Sequence, residues 1–425
     1  MTGVIDRILF GREGESFQKR VYFWNLCSSL IYALQSAVLL LIVTRVGGLN
    51  EAGFFSILYV TTQMLASLGS YSMRNFQVSD AKDEYDFKCY YSSRVLTCVL
   101  MAVCVLGYWF LFQRSTKSLF VTLFLCLYRV TDGMEDVYHG EVQKQGRLDA
   151  VSIARVVRIA VSVVFFAAVY LITHDLIIAS GVLSIVSHLI YMACNLSLRQ
   201  RYPYMTTALT SSKVMRLLQT CFPTCASAIL YNYLANAPKY AIEANLNAES
   251  QAIFNIIFMP IFVINVLSMF VYNPMVASMG VSWQEGRLSQ MKKQIMILCF
   301  MILGITLFVA VCGYLFGYWM LGIVYGVNLH EWRGLLTVLL LFGGISALDA
   351  FLVVVLTIIR EQKFVLYGYI TALVFCLIFM NPIVKRFELL GAGCLYGLLM
   401  GVVMLVFGAV VLHKLYITKP KEPGY

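Results

Sequence analysis

Residues 334–359 read GLLTVLLLFGGISALDAFLVVVLTII, a run of twenty-six in which Asp349 is the sole charge. About 20 mostly apolar residues in a helix cross the hydrocarbon of a bilayer. The run is too long for a buried strand and too uniformly apolar for a helix with a wet face. It closes on the charged turn Arg360-Glu361-Gln362-Lys363, and a second apolar run, 364–384, and a third, 389–412, follow. Toward the N-terminus the pattern repeats near 21–44, 52–74, 92–112, 118–138, 149–172, 176–198, 217–240, 252–273 and 294–318. The sequence therefore predicts an all-α membrane protein of about twelve transmembrane helices. Composition agrees: 60% of the 425 residues are hydrophobic and 13% charged, against roughly 25% charged in soluble domains.

Lys and Arg set the orientation, because they favour the cytoplasmic side of a span. With the N-terminus inside, cytoplasmic segments hold Arg7, Arg12, Lys19, Arg20, Lys82, Lys88, Lys144, Arg147, Arg199, Arg201, Lys213, Arg287, Lys292, Lys293, Arg360, Lys363, Lys414, Lys419 and Lys421. External segments hold fewer: Arg45, Arg114, Lys117, Lys239, Arg333, Lys385 and Arg386. Both termini are thus expected inside. The net charge of +10 is a topology signal and calls for no nucleic acid. The first twenty residues carry seven charges and no cleavage pattern, so the first span is expected to act as its own insertion signal.

The loops are short. The segment 199–216, with Arg199, Gln200, Arg201, Pro203 and Lys213, reads as a cytoplasmic linker between a six-helix bundle at 1–198 and another at 217–425. Secondary transporters are commonly built from two such halves. Gln145-Gly146-Arg147-Leu148 and Glu361-Gln362-Lys363-Phe364 occupy matching tight turns, and Leu49-Asn50 before Phe54-Phe55 is echoed by Leu246-Asn247 before Ile253-Phe254.

Charges at bilayer depth cost several kcal/mol unless they meet a partner or a wet cavity. Span four carries Arg129, Asp132, Glu135 and Asp136, and span five carries Arg155 and Arg158. Arg129, Asp132 and Asp136 follow helical spacing on one face. Folding the two helices about a turn at 139–146 sets Asp132 level with Arg155 and Arg129 level with Arg158. Two readings follow: an internal salt-bridge clamp, or a cationic wall whose guanidinium forks suit a phosphate. Span two presents Ser56, Tyr59, Gln63, Ser67, Ser70, Arg74 and Gln77 on one face; span one presents Asn25, Ser28, Tyr32 and Gln35; span seven presents Asn232, Asn236, Lys239 and Glu243. Such stripes either pack helices or line a wet cavity, and Lys239 and Glu243 stand one turn apart as a candidate pair. Asp349 is read first as a hydrogen-bonded structural carboxylate and second as an ion-coupling site. His188 reads as a packing residue, Cys221 and Cys225 as buried small hydrophobes and no metal pair, and Pro260, Pro274 and Pro382 as helix kinks or ends.

Three stretches together resemble the bacterial oligosaccharide flippases, the O-antigen, capsule and teichoic-acid exporters of the multidrug/oligosaccharidyl-lipid/polysaccharide superfamily. The first is Tyr138-His139-Gly140-Glu141-Val142-Gln143 through Arg147-Leu148-Asp149-Ala150-Val151 to Arg155 and Arg158. The second is Pro223 through Asn236, then Pro238-Lys239-Tyr240-Ala241-Ile242-Glu243, Leu246 and Phe254. The third is Arg360-Glu361-Gln362-Lys363-Phe364 with Leu390-Gly391-Ala392-Gly393. Where the family often has glycines after span seven, this chain has Asn247 and Ala252.

The resemblance implies two six-helix bundles around a central cationic cavity in the bacterial inner membrane. It implies a substrate of undecaprenyl pyrophosphate bearing an oligosaccharide repeat unit, flipped outward by alternating access for polysaccharide biosynthesis. Arg74, Arg129, Arg155, Arg158 and Lys239 are the expected basic lining, Asn25, Gln35, Gln63, Asn232 and Asn236 the polar lining, and Asp132, Asp136 and Glu243 the charge partners. The expected partners are the lipid-linked glycan, membrane lipids, and polysaccharide polymerase and chain-length proteins around a monomer, with no cofactor or metal. The rivals are a cation-coupled multidrug or metabolite exporter of the same superfamily, which would favour carboxylates, and a membrane polysaccharide polymerase or ligase, which would want a large outer domain. The sequence carries no nucleotide-binding motif.

Overall fold

The computed structural model describes residue 9 and residues 17–80, 84–113, 115–205, 207–210 and 213–417. Arg7, Arg12, Lys82, Arg114, Lys419 and Lys421, which entered the orientation reading, lie outside these residues. Among the described residues the regular structure is helical, with no strand. The helices are α1 (Phe17–Ser70), α2 (Met73–Ser79), α3 (Phe87–Tyr108), α4 (Thr116–Lys144), α5 (Leu148–Thr173), α6 (Leu176–Arg201) and α7 (Val214–Asn245). They continue as α8 (Ala248–Phe258), α9 (Ile261–Tyr272), α10 (Val276–Gln284), α11 (Leu288–Cys312), α12 (Tyr318–Tyr325), α13 (Arg333–Ile358) and α14 (Lys363–Ile417).

Among the described residues, eight stretches are long and apolar enough to cross a membrane. Two of them hold a pair of spans each. α1 breaks at Gly48 (φ 77°, ψ −179°) and α14 at Glu388 (φ 49°, ψ −130°), so each divides into two span-length halves. α4 and α7, 29 and 32 residues long, fall where spans four and seven are expected but are too polar to count among the eight. Twelve span-length helical segments result, at the expected places. Pro260 separates α8 from α9, and Pro274 lies in the short 3₁₀ turn Asn273–Met275. Pro382 sits inside α14, ahead of the break at Glu388. Side chains close the exposed amides at several helix starts: Asp86 accepts from Cys89 N, Ser115 from Ser118 N, Asp175 from Ile177 N and Asn247 from Ser250 N.

The chain forms two compact units, 1–229 and 230–425. In the first, α4 is the central helix, packed against α1, α2, α3, α5 and α6. In the second, α13 has that place, packed against α8, α9, α10, α11 and α14. Thr210 N donates to Ser92 Oγ and Lys213 Nζ to Glu84 O, which fastens the linker before α7 to the first unit.

The outward faces are apolar. Val99 and Val103 on α3, Ile172 on α5, and Phe300, Leu307, Phe308 and Val311 on α11 are all more than half exposed. Water does not tolerate apolar faces of this extent, whereas lipid does, provided the backbone is satisfied within helices. The chain is a multi-pass membrane protein.

Candidate functional site

A cluster of charged residues in the first unit condenses around α4. Asp132, Glu135 and Asp136 occupy successive positions of one helical face and meet arginines from four helices. Arg158 on α5 donates from Nη2 to Asp132 Oδ1 (2.5 Å) and Glu135 Oε2 (3.0 Å), from Nε to Glu135 Oε1 (3.1 Å), and from Nη1 to Ser187 Oγ on α6 (2.8 Å). Arg129 donates to Asp132 Oδ2 (2.9 Å), and its guanidinium lies over the rings of Tyr59 (4.5 Å) and Tyr128 (5.4 Å). Asp136 Oδ2 accepts from Arg94 Nη2 on α3 (3.1 Å), whose Nη1 also donates to the Gly69 carbonyl (2.9 Å). Asp136 Oδ1 faces Arg74 Nη1 on α2 (3.3 Å) and Arg155 Nη2 on α5 (3.8 Å). Arg155 Nε donates to Glu135 Oε2 (3.4 Å), and Gln143 Oε1 accepts from Arg74 Nε and Nη2 (3.2 and 2.9 Å).

Five guanidinium groups thus meet three carboxylates, which leaves two formal positive charges within one unit. Exposure sorts them. The side chains of Arg94, Arg129 and Arg158 are each 1% exposed, whereas Arg155 and Asp136 are 17% and Arg74 24% exposed. The buried three are enclosed among the helices, whereas the side chains of the other two keep some exposed surface.

The pairing register differs from the expected one. Asp132 meets Arg158, one helical turn beyond Arg155, and Arg155 meets Glu135 and Asp136 instead. The cause is the turn: α4 runs on to Lys144, and the chain reverses at Gln145–Arg147, where Gly146 takes φ +76°. A turn set later than 139–146 slides α5 along α4. Arg94, two residues inside the third span, and His139, whose Nε2 lies 3.7 Å from Glu135 Oε1, were not singled out from the sequence. A lone basic residue at the inner end of an apolar run reads as a topology signal, so only the folded partner reveals Arg94.

The polar stripes divide. Gln35 is buried and accepts from Tyr128 Oη (2.8 Å), fixing α1 to α4. Gln63 is half-buried, and Asn25 is exposed, its carbonyl accepting from Ser29 Oγ. Asn232 and Asn236 lie half-buried in the second unit, Asn236 Nδ2 donating to the Asn232 carbonyl (2.9 Å). Lys239 is buried with its ammonium 4.9 Å from the Phe258 ring centre, whereas Glu243 is exposed. Asp349 is 1% exposed, and neither carboxylate oxygen has a hydrogen-bond partner among the described residues. That departs from the hydrogen-bonded carboxylate expected first. Tyr231, Tyr369 and Tyr396 lie within electrostatic range of it.

At the helix ends of the first unit, Glu141 accepts from Gln77 Nε2 and Tyr204 Oη, both at 3.2 Å. Burial, then the neighbouring Glu141 carboxylate, pushes the Tyr204 phenol up to about 12. Asp149 is fully buried and holds Arg20 Nε (3.1 Å) and Arg147 Nε (3.0 Å). It pins the start of α1 to the turn before α5.

No family model and no curated protein matches the sequence. Solved structures do match the fold. A multidrug resistance MATE family transporter of the MOP superfamily, in an inward-facing conformation, superposes with a TM-score of 0.64 at 12% identity, over 98% of this chain and 99% of that one. An outward-facing multidrug resistance MATE family transporter gives 0.62 at 14% identity, over 97% and 98%. A Vibrio cholerae MATE transporter in its bent form gives 0.55 at 14% identity, over 98% and 99%. The chain has the fold of the MATE transporters, matched nearly end to end.

Proposed function

We propose that the chain is a flippase that moves an undecaprenyl-pyrophosphate-linked oligosaccharide repeat unit from the cytoplasmic to the outer leaflet by alternating access. The observation that carries the reading is the excess of arginine over carboxylate around α4, with the side chains of Arg74 and Arg155 partly exposed beside Asp136. Guanidinium forks bind phosphate oxygens in pairs, and their preassembly offsets the loss of headgroup hydration. The polyprenyl tail stays in lipid. Both termini lie in the cytoplasm of a bacterial cell, and the Arg network then falls in the inner half of the inner membrane, where the headgroup is made.

A second reading has its own support. The orphan carboxylate Asp349 suits a cation-coupled exporter, and the neighbours of this fold are described as multidrug resistance transporters. Asp349 is equally compatible with an ion gradient driving the flippase. Reconstitution separates the two: labelled undecaprenyl-pyrophosphate oligosaccharide is placed in vesicles with wild type, Arg74→Ala or Arg155→Ala. Leaflet transfer by wild type that either substitution abolishes in a folded protein supports the flippase. Absence of transfer under proton and sodium gradients, with accumulation of lipophilic cations instead, moves the assignment to the exporter.

A further inference from the structure

Resting on the phosphate reading of this site, we propose that Glu141 and Tyr204 are positioning residues that couple Arg74 to the turn following α6. Arg74 sits on α2, a helix of seven residues. Helices this short are not stable on their own. The start of α2 is also poor: Tyr71 and Ser72 before it take φ 49° and 51°, and the Ser72 side chain caps none of its amides. Its place therefore depends on what holds it from outside. One turn after Arg74, Gln77 Nε2 donates to the Val137 carbonyl and to Glu141 Oε2, both at 3.2 Å, which fixes α2 to α4.

The other oxygen of that carboxylate, Oε1, accepts from Tyr204 Oη (3.2 Å). Tyr204 stands in the tight turn Tyr202-Pro203-Tyr204-Met205, closed by Met205 N donating to the Tyr202 carbonyl (3.0 Å). Proline at the second position presets such a turn. Met205 is fully buried and seats the turn in the apolar core that includes Tyr138, Val142 and Ala150. Glu141 is 8% exposed, so little water reaches its two bonds. Contacts thus run from Arg74 along α2 to Gln77, Glu141 and Tyr204. An anion on Arg74 orders α2, firms the Gln77–Glu141 bond and keeps Tyr204 docked. Release of Tyr204 frees Glu141 and α2, and the ligand must then order them as it binds. The two effects are reciprocal. Occupancy of the arginine site is thereby felt in the segment 199–216, the expected linker between the halves.

The test follows binding of a polyprenyl pyrophosphate to the full chain in nanodiscs, together with hydrogen exchange of the Met205 amide. In wild type, ligand is expected to slow that exchange several-fold. Tyr204→Phe keeps the ring and loses the donor; it is expected to bind roughly fivefold or more weakly and to lose the response of Met205 to ligand. Glu141→Gln, which can keep only one of the two bonds, is expected to act the same way and serves if Tyr204→Phe does not fold. Ser92→Ala removes the acceptor of Thr210 N, loosening the segment away from Glu141, and is expected to bind as wild type. Wild-type affinity in Tyr204→Phe, a retained response of Met205 to ligand, or equal weakening by Ser92→Ala overturns the joint and leaves the phosphate site standing. Failure of the wild type to bind overturns both.

Discussion

Arg158 commits every nitrogen of its guanidinium inside the first unit, to Asp132, Glu135 and Ser187. Arg155, one turn earlier on α5, makes contacts of 3.4 and 3.8 Å and keeps exposed surface. The two therefore separate experimentally. Removing one partner of a buried pair typically costs about 3–5 kcal/mol, because the other charge is left stranded. Arg158→Ala is expected to lose most of its folded yield and to melt far below wild type in detergent. Arg155→Ala is expected to melt within a few degrees of wild type while losing ligand binding; equal loss of stability in both would return Arg155 to a purely structural role. The sequence already placed these arginines beside the acids of α4, since charges in apolar runs are conspicuous. It could not assign clamp and ligand roles, because those depend on a register that shifts by a turn with the position of Gly146, and on Arg94, whose partner lies in another helix.

At the scale of the element, α4 does opposite things to the two ends of the reading. Its charge hides it from a hydropathy measure, yet its length and place among apolar neighbours made it legible as a span. It also passes close to α2: a Cβ at Gly140 would stand 2.4 Å from Gln77 Oε1 and 2.8 Å from its Cδ. Gln77 is fully buried and donates to both the Val137 carbonyl and Glu141. Gly140→Ala must push this side chain off its acceptors, and overpacking of this kind costs about 1–3 kcal/mol. Thermal unfolding should fall accordingly, and Gln77→Ala in the same chain should recover part of the loss; additivity of the two would sink the contact as the cause. The connection from α2 to α3 carries a pH signature. Burial raises the Asp80 carboxyl, but hydrogen bonds from Glu84 N, Tyr85 N and Tyr90 Oη outweigh it and hold the group below its ordinary value. A carboxyl lowered on folding stabilises above its unfolded pKa and loses that contribution as pH falls through the folded one. Protection of the Glu84 and Tyr85 amides in hydrogen exchange should therefore drop on acidification below about pH 4, and in Asp80→Asn it should be weaker at neutral pH and nearly flat across that window.

Across the whole molecule, each unit centres on one helix that carries buried charge, α4 in the first and α13 in the second, and each is the fourth span of its half. The two centres are balanced differently. α4 answers its acids with arginines from its neighbours, whereas Asp349 on α13 is 1% exposed with both oxygens unpartnered among the described residues. A lone ionised carboxylate in such surroundings costs several kcal/mol unless a proton, a cation or water meets it, so the energy of the second unit depends on what meets Asp349. Asp349→Asn removes that dependence while keeping the shape. The substituted chain is expected to melt at or above the wild-type temperature, because no buried charge remains to be compensated, and to bind a polyprenyl pyrophosphate with unchanged affinity, because the arginine network lies wholly in the first unit. Its transport, measured in vesicles with imposed proton or sodium gradients, is expected to lose the response to the gradient. A variant that is markedly less stable would instead make Asp349 a structural carboxylate. One that is stable and still fully gradient-driven would shift the coupling to the acids and His139 around α4, where ligand and ion would then compete for the same arginines.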